Sequence, residues 1–315
     1  MINRLNGKPH FYSNEEEEKI INTVRKGNYS FVWMDQFCYG TTVKKLKHEF
    51  PDLPVLVFYH TVITSFMTIM SHIPFTLRYP LRIWDYVNSK RQQELSAKYA
   101  DAVVILNERD RNNLMKHYGR DADLILPICF RDTAHIAEVK KKHDEFNILF
   151  VGGAKHSPNL HGIKWFAVNV MPHLDSRAVL HLVGTDMDTF RDDKEFRGNY
   201  RIKMTGRVES LDDFYNMADL VVAPIFYGAG MMTKVAEAMM YGKNFLASRH
   251  AINGYDGFDD CVCDSAEDFI RKINGLIASG TERYNPAIRK VYEERYSVEA
   301  MTDMLRKLLT DMHII

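Results

Sequence analysis

The chain has 315 residues, 46% hydrophobic and 26% charged, with 41 basic and 41 acidic side chains and a formal net charge of zero. That length suits two domains, each able to bury a core, and the composition excludes a disordered or fibrous protein. A balanced charge with no concentrated basic face argues against nucleic acid as a partner.

The first residues, Met1 to His10, are polar and show no signal peptide. A helix is predicted over Asn14–Lys26, opening on the acidic run Glu15 to Glu18, which a helix N-terminus favours. A strand over Tyr29–Met34, a helix over Tyr39–Phe50 and a strand over Pro54–Tyr59 follow. The apolar stretch Thr61–Leu77 is broken by Thr, Ser, His and Pro and is too short to span a bilayer. A helix over Pro80–Tyr99, a strand over Ala102–Leu106, a helix over Glu108–Tyr118 and a strand over Asp123–Leu126 complete the first half. Asn107 and Glu108 read as a helix cap and a first-turn acid. Arg78, Arg82, Lys90 and Arg91, set among apolar residues, read as a solvated face in preference to peripheral membrane contact.

The polar, lysine-rich segment 131–145 contains no strand-like run and separates two halves, taken as domains 1–130 and 146–296, with residues 297–315 as a closing helix. The second half restarts with a strand over Phe146–Val151 and a helix from Pro158 to Met171. Strands over Ala178–Val183, Tyr200–Thr205, Asp219–Ala223 and Asn244–Ala247 follow, and Ser265–His313 reads as almost wholly helical. Short apolar runs alternating with helices are the pattern of βαβ units, so each half is expected to be an α/β, Rossmann-like domain. Four strands before residue 131 make the first domain look shortened.

Four cysteines and 13 histidines show no metal-ligand spacing, and a reduced, cytoplasmic setting is expected. The segment most charged with chemistry runs from Pro224 to Gly242: a strand end, the loop Gly228-Ala229-Gly230, then a helix starting near Met231. Glycines let backbone approach an anion, and the N–H groups and dipole of a helix start attract a diphosphate. Lys234 stands one turn in, and Glu237 three residues on can accept from ribose hydroxyls. The plainer reading is a surface ion pair between the two beside a tight turn. Gly152-Gly153 with Lys155, and Gly206-Arg207-Val208, are two further strand-end turns, and His60 closes Phe58-Tyr59-His60-Thr61.

Taken together these strings resemble the GT-B glycosyltransferases of the family-4-like group, the glycosyl transferases group 1. The resemblance covers residues 146 to 263 well and the first half loosely. It implies two Rossmann-like domains facing across a cleft, with C-terminal helices crossing back. It gives Glu237 the donor ribose and Lys234 the donor diphosphate. Gly152, Gly153 and Lys155 then lie by the phosphates, and Arg207 and Val208 by the nucleobase. Gly228, Gly230, Met231, Met232 and Thr233 supply loop and helix-start backbone, and His60 faces the transferred sugar. Ala229 stands where the group carries the first acid of its Glu-x7-Glu pattern, so backbone N–H groups of 229–232 take over the sugar contact.

The implied activity is transfer of a sugar from a nucleotide-diphosphate sugar to a glycan or lipid-linked acceptor, with retention, in polysaccharide or glycoconjugate biosynthesis. No cofactor is expected, nor a carboxylate pair holding a metal on the diphosphate; Lys234 and the helix N-terminus meet that charge. A cytoplasmic protein, or one peripheral at the inner face of the membrane, is the matching location. A binding-only GT-B protein and a sugar-nucleotide epimerase are the alternatives. Oligomeric state is not readable.

Overall fold

The computed structural model describes residues 12–63, 79–137, 145–228 and 231–315. Most of the apolar stretch after Ile63, Arg78, the lysine run near 140, Ala229 and Gly230 lie outside the described residues. The chain divides into two compact units, Met1–Pro127 with Asp303–Ile315, and Ile128–Thr302. The division falls just ahead of the segment read as a linker.

In the first unit, helix α1 (Asn14–Lys26) starts on a capping box: Ser13 accepts from the Glu16 backbone while Glu16 returns the bond. Strand β1 (Val32–Asp35), helix α2 (Gly40–Glu49), strand β2 (Val55–Tyr59), helix α3 (Tyr79–Tyr99) and strand β3 (Ala102–Ile105) follow. Helix α4 (Glu108–Tyr118) is capped by Asn107, whose side chain accepts from the Asp110 N–H at 2.9 Å, and it ends on Gly119 at φ 64°. Strand β4 (Leu124–Ile125) closes a parallel four-stranded sheet of order β1-β2-β3-β4. Val55, Val57, Tyr59, Val103 and Ile105 form its core with Leu46 and Leu114 from the helices. Both sheet faces are covered, hence the near-continuous apolar runs in β2 and β3.

The second unit opens with β5 (Phe146–Val151), helix α5 (Ser157–Asn169), β6 (Ala178–Val183) and β7 (Ile202–Thr205). Helix α6 (Asp212–Met217), β8 (Leu220–Ala223), helix α7 (Thr233–Met240) and β9 (Phe245–Ala247) come next. All strands are parallel, in the order β7-β6-β5-β8-β9. The chain therefore winds outward in one direction from β5 to β7 and in the other through β8 and β9. The reversal leaves a crevice at the carboxyl ends of β5 and β8, where open α/β sheets bind ligands.

The segment expected to be almost wholly helical is three helices, α8 (Ala266–Ser279), α9 (Pro286–Arg295) and α10 (Val298–Asp311). Gly280 at φ 72° stops α8, and Asn285 caps α9 with Pro286 in its first turn. Helix α10 is divided between the units, its residues from Asp303 grouping with the first. Asp219, fully buried beside β8, receives the Asn147 N–H at 2.8 Å and pairs with Arg283 at 2.9 Å. Among the described residues no helix is long and apolar enough to cross a membrane.

Candidate functional site

The crevice between β5 and β8 is lined from both sides by turns that require glycine. After β5, a Cβ on Gly152 would lie 2.7 Å from Nδ2 of Asn159, so a larger residue would displace that amide. Asn159 is buried in the first turn of α5, and both ends of its amide are engaged. Its Nδ2 donates to the Gly153 carbonyl at 3.1 Å, and its Oδ1 accepts from Nζ of Lys234 at 3.0 Å. After β8, a Cβ at Gly162 of α5 would collide with the Pro224 carbonyl, so that glycine lets α5 close on the strand end. Gly228 has φ 134°, with Pro158, Met232 and His250 around it.

Helix α7 begins at Thr233, two residues later than expected, because Met232 is extended chain; the side chains of Met231 and Met232 are both buried. Tyr255 donates to the Met232 carbonyl at 2.8 Å and fixes that entry. No side chain caps the first turn of α7; the Val235 N–H bonds back to the Met232 carbonyl at 3.1 Å, and the N–H groups ahead of it and the positive end of the dipole are available to an anion.

Lys234 is 6% exposed and lies over the Phe150 ring, 5.3 Å from its centroid. Among the described residues no carboxylate comes within 4.0 Å of its Nζ. The surface ion pair with Glu237 is therefore not formed. Burial lowers the ammonium to about 8, with the Glu237 charge opposing the shift. A buried cation held by one neutral amide oxygen is an incomplete arrangement, and a phosphate oxygen would complete it. Glu237, one turn further, is half-buried and accepts from the Tyr215 hydroxyl at 3.2 Å. Burial raises its pKa, opposed by that hydrogen bond and by Lys234.

The structure thus gathers Gly152, Gly153, Lys234 and Glu237 with the start of α7. Thr233, its first residue, is exposed, and Gly230 lies outside the described residues. Lys155 points outward, 86% exposed, and pairs with Asp186 at 2.8 Å. Arg207 is exposed and Val208 half-buried on the turn after β7, and among the described residues no hydrogen bond joins them to the Lys234 group. Sequence reasoning set Asn159 at the helix start after the Gly152-Gly153 turn without pairing it with Lys234, and it left out Tyr215. Asn159 had a signal, an amide following the Gly-Gly turn at a helix start, but Tyr215 had none.

Asp-x-Asp triplets do occur, at Asp121–Asp123 and Asp186–Asp188, so the expectation of no carboxylate pair is corrected at the level of sequence. Arg111 holds Asp121 at 2.6 Å, Arg120 holds Asp123 at 2.6 Å, and Lys155 holds Asp186. Among the described residues no group of three or more His, Cys, Asp or Glu side chains is placed to hold a metal ion.

In the first unit His60 follows β2 and meets the end of the adjacent β1. Its Nε2 lies 2.8 Å from Asp35 Oδ1, and its Nδ1 lies 3.4 Å from Nε2 of Gln36. Donation to Asp35 and acceptance from Gln36 select the Nε2–H tautomer. Gln36 holds φ at 141°, a conformation that favours glycine. The imidazole is thus oriented by two neighbours, at the carboxyl ends of two parallel strands.

Residues 145–279, which include the whole Lys234 crevice, match the family model described as Glycosyl transferases group 1. The match lies within the second unit and covers less than half of the chain. Solved structures place the chain as a whole in the GT-B fold. HepE from Anabaena, solved with UDP, aligns at TM-score 0.68 and 12% identity over 94% of this chain and 82% of its own. The lipopolysaccharide outer core galactosyltransferase WaaB aligns at 0.66 and 13% identity, over 94% and 79%. A glycosyltransferase from Rickettsia africae aligns at 0.66 and 14%, over 96% and 83%. No curated protein matches the sequence.

Proposed function

We propose that the chain transfers a sugar from a nucleoside-diphosphate sugar to a hydroxyl of a glycan or lipid-linked acceptor, in polysaccharide or glycoconjugate assembly. The observation that carries this reading is the buried Lys234, held by Asn159 beside the Gly152-Gly153 turn and at the uncapped start of α7. A diphosphate seated there receives the ammonium and the first-turn N–H groups, and Glu237 receives the ribose hydroxyls. HepE has been solved with UDP and with UDP-glucose, which makes uridine nucleotides the first donors to try.

The bond between the anomeric carbon and the diphosphate oxygen breaks with its electron pair on the diphosphate. Lys234 and the helix start stabilise that charge, an electrostatic role that needs no metal. The acceptor oxygen bonds to the anomeric carbon from the same face, giving retention, and its proton leaves to the departing phosphate oxygen. His60, oriented by Asp35, supplies a hydrogen bond on the acceptor side. The donor is drawn from the cytoplasm, and a lipid-linked acceptor would place the protein peripherally at the inner membrane face.

A sheet of four strands among the described residues of the first unit favours a second reading, nucleotide-sugar binding without turnover. Incubating the protein with a panel of nucleotide sugars, reading both thermal stabilisation and nucleoside diphosphate release, separates the two. Stabilisation with release supports transfer; stabilisation without release in the presence of glycan and lipid-linked acceptors supports binding alone. Absence of stabilisation by every nucleotide would sink the donor site.

A further inference from the structure

Tyr215 lies in α6 with no exposed surface, and a phenol taken out of water keeps a hydrogen-bond partner. Its hydroxyl donates to Glu237 Oε2, and among the described residues each is the other's only side-chain hydrogen-bond partner. The phenol is held from behind. Its ring stacks on Tyr241 with centroids 4.2 Å apart and planes 5° from parallel, and the Tyr241 hydroxyl donates to Asp212 Oδ1 at 2.7 Å. That carboxylate in turn receives the Ser210 hydroxyl at 2.7 Å and the His135 N–H at 3.0 Å. Neither ring can swing without breaking this chain of contacts.

Between Lys234 and Met240, α7 is buried at every position except Glu237, so its carboxylate is the opening of the helix to the surface. One carboxylate oxygen is occupied by Tyr215, which leaves Oε1 as the acceptor for a ligand. The hydrogen bond also favours the ionised, acceptor-only form against the burial that opposes it. A vicinal diol supplies the two O–H donors such an oxygen accepts.

We infer that Tyr215 is a positioning residue for donor specificity: by engaging Oε2 of Glu237 it aims Oε1 at the ribose diol, so that the site selects ribonucleotides over deoxyribonucleotides. The inference rests on the reading of Glu237 as the ribose ligand. Tyr215→Phe keeps the ring and its stack while removing the hydroxyl. The full chain is titrated with UDP and with 2′,3′-dideoxyuridine diphosphate as wild type, Tyr215→Phe, Glu237→Gln and the double variant, with melting curves to confirm folding.

The wild type is expected to bind UDP roughly tenfold to a hundredfold tighter than the dideoxy analogue, the range for hydrogen bonds to a charged group. Glu237→Gln should bring the two together, and Tyr215→Phe should narrow the ratio by about threefold or more with the dideoxy affinity unchanged. In the double variant the tyrosine change should add nothing. A Tyr215→Phe protein with the wild-type ratio, or with equal losses for both analogues, overturns the inference alone. A wild type that binds both alike, or neither, overturns the ribose reading of Glu237 and the inference with it.

Discussion

Nζ of Lys234 lies 3.0 Å from Oδ1 of Asn159, and among the described residues it has no carboxylate within ion-pair range. A structural buried lysine in the same unit looks different. Lys243 is surrounded by the carbonyls of Asn216, Ala218 and Arg283, at 3.4, 3.2 and 2.7 Å. That ammonium has its hydrogen bonds filled from within the fold, whereas among the described residues Lys234 has one.

Lys234→Met should therefore separate binding from stability. Removing the ammonium costs about tenfold to a hundredfold in affinity for UDP, the range for a charged hydrogen bond. The melting temperature stays level or rises, because a buried charge is replaced by an apolar chain of similar size. Isothermal titration and a thermal melt check both signs; loss of stability with unchanged binding would make Lys234 a structural residue.

The same lysine gives binding a pH dependence. Unliganded Lys234 loses its proton near 8, while a bound diphosphate favours the ammonium and raises that value. UDP affinity should be flat below pH 8 and fall above it, approaching tenfold per pH unit, because binding then takes up a proton. The stability of the free protein moves the other way. The folded pKa lies below the ordinary 10.5, so the unfolded chain holds the extra proton between about 8 and 10.5, and this group's contribution to stability rises with pH there. Lys243 is also lowered to about 8, so Lys234→Met serves as the reference in melting curves taken with and without UDP.

Asn159 is the next test. Asn159→Asp gives Lys234 an internal counter-ion that competes with the diphosphate, and UDP affinity should fall by about tenfold. Gly152→Ala presses a methyl onto the Asn159 amide, the movable end of a side chain, and should produce a smaller loss of the same kind. Calorimetric titration of both variants decides it, and an unchanged Asn159→Asp affinity would place the diphosphate elsewhere.

Asp35→Asn acts on the first unit. An asparagine amide can donate or accept, so the Nε2–H tautomer of His60 is no longer selected. Turnover should drop by about tenfold or more, while UDP binding, which uses residues of the second unit, holds. Steady-state nucleotide release beside a UDP titration separates the two, and unchanged turnover removes His60 from the reaction.

Much of this was legible locally. Strands β5 and β6 and helices α1 and α4 fall on the residues expected, since a Ser or Asn cap, a glycine stop and a run of apolar residues are all short-range signals. The C-terminal segment shows the limit of reading by spacing alone: its apolar residues read as one helical run, although Gly280 and Asn285-Pro286 carry the stop and the cap at which the helices part. The same limit applied to Lys234 and Glu237. Three residues apart on one helix they read as an ion pair, but one turns toward α5 and the other toward α6.

The sequence alone determined the α/β alternation and the strand, glycine loop and helix order of the segment Pro224–Gly242, because these depend on neighbours along the chain. The tertiary structure decided which side chains meet there. Parallel strands joined by crossover helices bring Asn159 to Lys234 across 75 positions and Tyr215 to Glu237 across 22. Desolvation and hydrogen-bond partnership, which set the charge and aim of both groups, exist only once those crossovers are made.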